Sequence, residues 1–200
     1  MLTPVYHSQP YDAIWEESFV EPLHSPAWDQ TRTCCFTGHR PDRLPSGWRQ
    51  DPDTCTPLRM ALRDAVLQAV RDGYDIFLSG MALGVDLMAA KEVLELKKVG
   101  YPLRLIAAIP CPEQDACWRE PDRRAYRTLL EQADEQVLIC PHYTPYCMHA
   151  RNRWMVEHSA RVIAVFDGSP GGTANTIQLA QKKRREIVRI DPLNPFAFSL

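Results

Sequence analysis

Three short stretches carry residues whose types and spacing suit phosphate chemistry: Gly38-His39-Arg40-Pro41, Ser79-Gly80-Met81-Ala82-Leu83-Gly84-Val85-Asp86, and Asp167-Gly168-Ser169-Pro170-Gly171-Gly172-Thr173. Each follows an apolar run and precedes a loop or a helical pattern. Glycine has no Cβ, so the backbone there reaches left-handed conformations and a ligand can approach closely. A helix starting just afterwards presents unpaired N–H groups and the positive end of its dipole, and together these attract an anion. Thr173 can cap its helix or donate its hydroxyl to the same anion. Nothing structural requires His39 and Arg40 at such a turn, and the arginine can fork onto a phosphate or stack on a base. On this reading the amides of residues 80–84 and 171–173 hold phosphates with help from Arg40 and Arg151, while Ser79, Asp86 and Asn152 meet ribose or base. Asp86 has a second explanation, because an acid in the first turn of a helix is favoured by the dipole alone.

Those turns act together only if a frame brings them to one rim. Apolar runs predict strands over 33–37, 75–79, 103–109, 136–140, 161–166 and 186–190. Between them, Leu58, Leu62, Ala65 and Ala69 mark one helical face, and Val85, Met88, Ala89, Val93 and Leu96 mark another. Further helices are expected over 123–133, 149–159 and 173–183. The strands read as continuously apolar, which implies covered faces. Strands alternating with helices of this length imply an α/β domain: a Rossmann-like parallel sheet flanked by helices on both faces. Right-handed crossovers put every strand-to-helix turn on one edge, where open α/β sheets bind ligands. Strand order does not follow from the pattern. Residues 1–31 read as an N-terminal arm, Pro-rich and aromatic, with a short helix over 11–19; residues 32–200 read as the domain.

The whole chain narrows the classes further. Its 200 residues suffice for one well-packed core, and a formal net charge of -2 gives no global pull toward nucleic acid or anionic lipid. No apolar run approaches membrane-spanning length, and the N-terminus lacks a basic segment followed by an apolar one, so a cytoplasmic protein without membrane partners is expected. Seven cysteines without a Cys-x-x-Cys pair point to reduced thiols rather than a disulfide framework.

Taken in order, four motifs make the chain resemble the DUF1273 or YpsA-like family of the SLOG superfamily, which includes the DNA-processing protein DprA and the LOG phosphoribohydrolases. They are Phe36-Thr37-Gly38-His39-Arg40-Pro41, Ser79 through Asp86, Arg151-Asn152-Arg153-Trp154-Met155-Val156, and Gly171-Gly172-Thr173-Ala174-Asn175-Thr176, within residues 33–191. The resemblance implies a Rossmann-like domain that binds a nucleotide or a derivative such as ADP-ribose or NAD, as a sensor or regulatory module. The LOG pattern is Arg-x-x-x-Met on a helix, a strand, then Pro-Gly-Gly-x-Gly-Thr-x-Glu. Arg151 and Met155 fit it, and Pro170-Gly171-Gly172-Thr173 fits in part. Asn175 stands where the pattern's glutamate belongs. Cleavage of an N-glycosidic bond needs a carboxylate, and an amide neither ionises nor takes a proton at neutral pH. Asp86 is the remaining catalytic candidate, so binding is favoured over phosphoribohydrolase chemistry.

Other constellations are weaker. Cys140, His142, Cys147 and His149 offer zinc-ligand types within ten residues, but Pro141 and Pro145 stiffen the segment and the spacing is too tight, so no metal is expected. Cys111 lies between Pro110 and Pro112 with nothing near in sequence to lower its pKa. Arg119, Arg123, Arg124 and Arg127, and the run 182–185, are the basic clusters that DprA-like binding of single-stranded DNA would call on. That reading ranks below a small nucleotide ligand. A second copy of the chain remains open as a partner.

Overall fold

Side chains alternate between two faces along the inner strands, and that alternation builds the layers of the domain. The computed structural model describes residues 28–44 and 56–196. In chain order the elements are β1 (Thr33–Gly38), α1 (Thr56–Arg71), β2 (Ile76–Ser79), α2 (Val85–Lys98), β3 (Arg104–Ile109), α3 (Glu120–Gln132), β4 (Glu135–Leu138), α4 (Cys147–Glu157), β5 (Arg161–Val165), α5 (Gly172–Lys182) and β6 (Glu186–Ile190). Phe36, Phe77, Leu105 and Ile163 point to one face and join a core with α1, α2 and α3. Cys35, Leu78, Ile106 and Val162 point to the other and pack with Trp154 and Met155 of α4 and Ala180 of α5.

The six strands form one parallel sheet in the order β4-β3-β2-β1-β5-β6. The chain steps outward from β1 to β4, crosses back through α4, and resumes on the far side of β1. The direction of winding therefore reverses between β1 and β5, whose carboxyl ends run side by side with Gly38 opposite Val165. A crevice at such a reversal is where ligands enter open α/β sheets.

The elements lie within a few residues of their expected positions. One expectation needs correcting. The outer strands are not covered: Glu135, Gln136 and Leu138 of β4 are exposed, as are Glu186 and Arg189 of β6, because each strand has a neighbour on one side only. Cys140, expected at the end of a buried strand, lies two residues beyond β4 and is half-buried. The expected helix over 11–19 lies outside the described residues. At the described end of the expected arm, the Trp28 ring stands edge-on to Trp154, with centroids 6.1 Å apart, and Gln30 donates to the Glu157 carbonyl. Among the described residues no helix is long and apolar enough to cross a membrane.

Candidate functional site

Above the β1–β5 junction lies a cleft of about 320 Å³. Its walls come from the β1 turn (Gly38, His39, Arg40, Asp42 and Arg43), the β5 turn and the start of α5 (Ser169, Gly171, Gly172 and Thr173), and the first turns of α4 (Met148, His149, Arg151 and Asn152). From the β2 turn, only Ala82 and Asp86 reach it.

The last β5 residues lead into an anion cradle. Gly171 precedes α5 with φ of 150°, and no side chain caps the helix. A Cβ built on Gly172 would meet nothing within 4 Å, and Gly171, Gly172 and Thr173 at the start of α5 line the cleft. Thr176 is buried one turn along. It donates its hydroxyl to the Gly172 carbonyl at 2.9 Å and accepts from Asn152 Nδ2 at 3.0 Å. Both therefore fix α5 against α4, and Asn152 also borders the cleft.

Two bridges tie the β1 turn to the β5 turn. His39 is buried, and its Nε2 lies 2.9 Å from Asp167 Oδ1 and 3.2 Å from the Asp167 amide nitrogen. Hydrogen bonds from Ser169, with the His39 ring beside it, hold the Asp167 carboxyl down at about 2. The second bridge was not expected from the sequence. Arg43 donates from Nη1 to Ser169 Oγ at 3.1 Å and to the Pro170 carbonyl at 3.0 Å, spanning the mouth of the cleft. The available cue was a second arginine one tight turn beyond Arg40, in the 3-10 turn Pro41–Arg43. Met148, His149 and Asp42 were likewise not anticipated. Arg40 is exposed at the rim, and among the described residues no hydrogen bond holds it.

The β2 turn is committed elsewhere. Ser79 donates to the Asp86 carbonyl at 2.9 Å and accepts the Met81 amide at 3.1 Å. Gln114 Nε2 caps the Met81 carbonyl at 2.7 Å. Arg151 lies across Gly80, donating to its carbonyl, and a Cβ on Gly80 would fall 1.5 Å from the guanidinium. Gly84 has φ of 101° and passes so close to the β1 turn that a Cβ would sit 2.4 Å from the His39 carbonyl oxygen. These glycines admit protein rather than ligand. Of the residues expected to grip phosphate or sugar from this turn, Ser79, Gly80, Met81 and Gly84 lie outside the lining of the cleft.

Beneath the cleft, Arg151 Nη1 lies 3.3 Å from Asp86 Oδ2, and both side chains are more than nine-tenths buried. Burial pushes the Asp86 carboxyl up from its ordinary range, against the pull of Arg151 and then Arg40. Burial likewise lowers Arg151. Arg151 Nε has no partner among the described residues. Asn175 is exposed, outside the cleft, and its amide bonds to the Gly171 carbonyl at 3.0 Å; the first turn of α5 carries no acid. Among the described residues no cluster of three or more His, Cys, Asp or Glu side chains is arranged to hold a metal.

Comparison with known proteins follows the same outline. The YpsA family model, described as the YspA SLOG family, matches residues 34–195. A UPF0398 protein of Halalkalibacterium halodurans is 28% identical over 134 residues, covering 66% of this chain and 71% of the relative. The SPbeta prophage-derived protein YoqJ of Bacillus subtilis is 31% identical over 143 residues, covering 63% and 84%. A UPF0398 protein of Bacillus cereus is 32% identical over 159 residues, covering 78% and 85%. Among solved structures, DNA processing protein A (DprA) of Streptococcus pneumoniae superposes with a TM-score of 0.57 at 16% identity, covering 81% of this chain and 51% of that one. DprA of Helicobacter pylori gives 0.54 at 18% identity, covering 81% and 66%. This chain thus spans about half the pneumococcal protein, and at these identities the likeness shows the fold alone.

Proposed function

We propose that this chain, which belongs to the YpsA SLOG family, binds a nucleotide-derived small molecule of the ADP-ribose or NAD type in the β1–β5 cleft. The observation that carries the reading is that the Gly171-Gly172 entry to α5 and the exposed side chain of Arg40 line one cleft at the switch point of the sheet. Amides and helix dipole suit phosphate oxygens, and the arginine adds a full charge. Asn152 at the border supplies an amide for a sugar hydroxyl or base edge. Catalysis of the phosphoribohydrolase kind is disfavoured, since Asn175 is neutral and lies outside the cleft, and Asp86, the buried acid that lines it, is occupied by Arg151.

The Helicobacter pylori neighbour is named for a single-stranded DNA binding mode. Here Arg119, just before α3, and the α3 arginines are matched to acids: Arg119 to Asp122, Arg123 and Arg127 to Asp115, and Arg124 to Glu120. That pairing offsets much of the charge of this cluster, whereas a polynucleotide track wants unpaired charge interleaved with aromatics.

A ligand at a hundred times its Kd stabilises the folded state by about 2.7 kcal/mol, or roughly 5–10 °C for a domain of this size. ADP-ribose or NAD is expected to raise the melting temperature in this way, and Gly172→Trp to abolish the shift without unfolding the protein. A nucleotide library that produces no shift overturns the reading. A shift produced only by oligonucleotides, weakening steeply with salt, replaces it with the DNA reading.

A further inference from the structure

Three thiols that the cleft does not use gather where the loop after β3 passes the start of α4. Cys111 and Cys147 are fully buried, with Sγ atoms 3.8 Å apart across 36 residues of chain. That is van der Waals contact between sulfurs, with no backbone between them. Cys140 is half-buried nearby, close enough for a charge on Cys147 to raise its pKa further after burial has done so. Pro110 and Pro112 stiffen the chain on either side of Cys111, and Cys147 is the first residue of α4.

We propose that Cys111 and Cys147 form a peroxide-reactive pair that closes to an intramolecular disulfide. In the first step one thiolate attacks a peroxide oxygen, and the O–O bond breaks. That sulfur becomes a sulfenic acid, and the departing hydroxide takes up the displaced thiol proton as water. The second sulfur then attacks the sulfenic sulfur, and the S–OH oxygen leaves as a second water with the remaining thiol proton. Each sulfur is oxidised by one electron, and hydrogen peroxide is reduced to two waters. Disulfide bonding needs about 2.05 Å, so the sulfurs must close by about 1.8 Å. α4 carries Arg151 and Asn152 into the cleft one turn beyond Cys147, so the movement falls on an element of the site wall.

The surroundings set the pace. Burial, and then the neighbouring Cys147 sulfur, push the Cys111 thiol up to about 12. The thiolate is scarce at neutral pH, and the reaction is slow there and faster in alkali. A pair of this kind responds to sustained oxidant rather than to a brief pulse.

The test uses the full-length reduced protein treated with hydrogen peroxide, then alkylated, digested and mapped without reductant. The expected result is a peptide pair joining Cys111 to Cys147 that dithiothreitol releases, formed up to about a hundredfold faster at pH 9 than at pH 7. Recovery of both residues as alkylated free thiols overturns the proposal, as does a Cys140–Cys147 link in place of the expected one, or conversion of either residue to a sulfinic acid. Cys111→Ala and Cys147→Ser should each lose the linked peptide. Where either variant fails to fold, the wild-type map still decides. None of these outcomes depends on what the cleft binds.

Discussion

Asp167, in the turn after β5, and Asp86, in the lining of the cleft, are pushed in opposite directions by their surroundings. Asp167 sits in a turn with the Ser169 amide 2.8 Å from its carboxylate and His39 against it, so its charged form is stabilised. Asp86 is enclosed, so its charged form is penalised, and Arg151, then Arg40 and the Ala82 amide, compensate only in part. A carboxyl whose folded pKa is depressed contributes stability that is complete above its unfolded value of 3.8 and lost as pH falls toward about 2. Melting temperature against pH should therefore drop for the wild type across that window, and the drop should be shallower in Asp167→Asn. Identical acid limbs in the two proteins would show that Asp167 does not lock the β1 and β5 turns. For Asp86 the sign reverses, and its buried charge costs stability as pH rises through its raised pKa. At this scale the sequence was informative about residue types but not about partners. Asp86, Arg151 and Gly80 were all recognisable as unusual, yet a glycine required by an approaching guanidinium looks the same in sequence as one required by an approaching phosphate.

The strand-to-helix turns show the same ambiguity at the scale of elements, and the structure separates them by what a Cβ would meet. Gly84 combines a left-handed φ with a backbone oxygen 2.4 Å from the added carbon. Gly84→Ala is expected to lower stability by about 2 kcal/mol or more, since backbone must shift and the conformation is strained as well. Gly172, in the first turn of α5, has open space and no positive φ. Gly172→Ala should leave the melting temperature unchanged or slightly raised, while weakening any ligand seated on the α5 amides. Thermal denaturation of the two variants with and without ADP-ribose reads both effects, and equal stability losses would contradict this division of roles. The elements themselves were legible because apolar runs bounded by glycine and proline leave few alternatives over 33–190. The exposed edges were not legible, since Val137 and Leu138 read like part of an inner strand and only the place of β4 in the sheet leaves Leu138 exposed.

At the scale of the whole molecule, strand order is the fact that turns scattered turns into one site. No local pattern encodes whether β5 returns beside β1 or continues beyond β4, because that choice depends on how two distant surfaces pack. Once β5 lies against β1, the motifs after each meet, and the motif after β2 is drawn beneath them as support. The opposite edge of the sheet does a different job. There Arg161, at the start of β5, is buried between Asp72 at 2.7 Å and Glu186 at 2.8 Å, with its guanidinium 4.4 Å from the Tyr74 ring centroid. It joins the end of α1 to the start of β6 at the far end of β5 from the cleft. Removing one member of a buried ion cluster leaves the others without compensation, although the partly exposed acids here recover some hydration. Arg161→Ala should thus cost roughly 2 kcal/mol, or about 4–8 °C in melting temperature, and keep the full ligand-induced shift. Arg40→Ala, at the rim, should melt within a degree or so of the wild type and lose most of the shift. Arg161 would then serve stability and Arg40 binding at opposite ends of the same parallel strands, and a variant of either that moved both quantities together would show that the two roles are not independent.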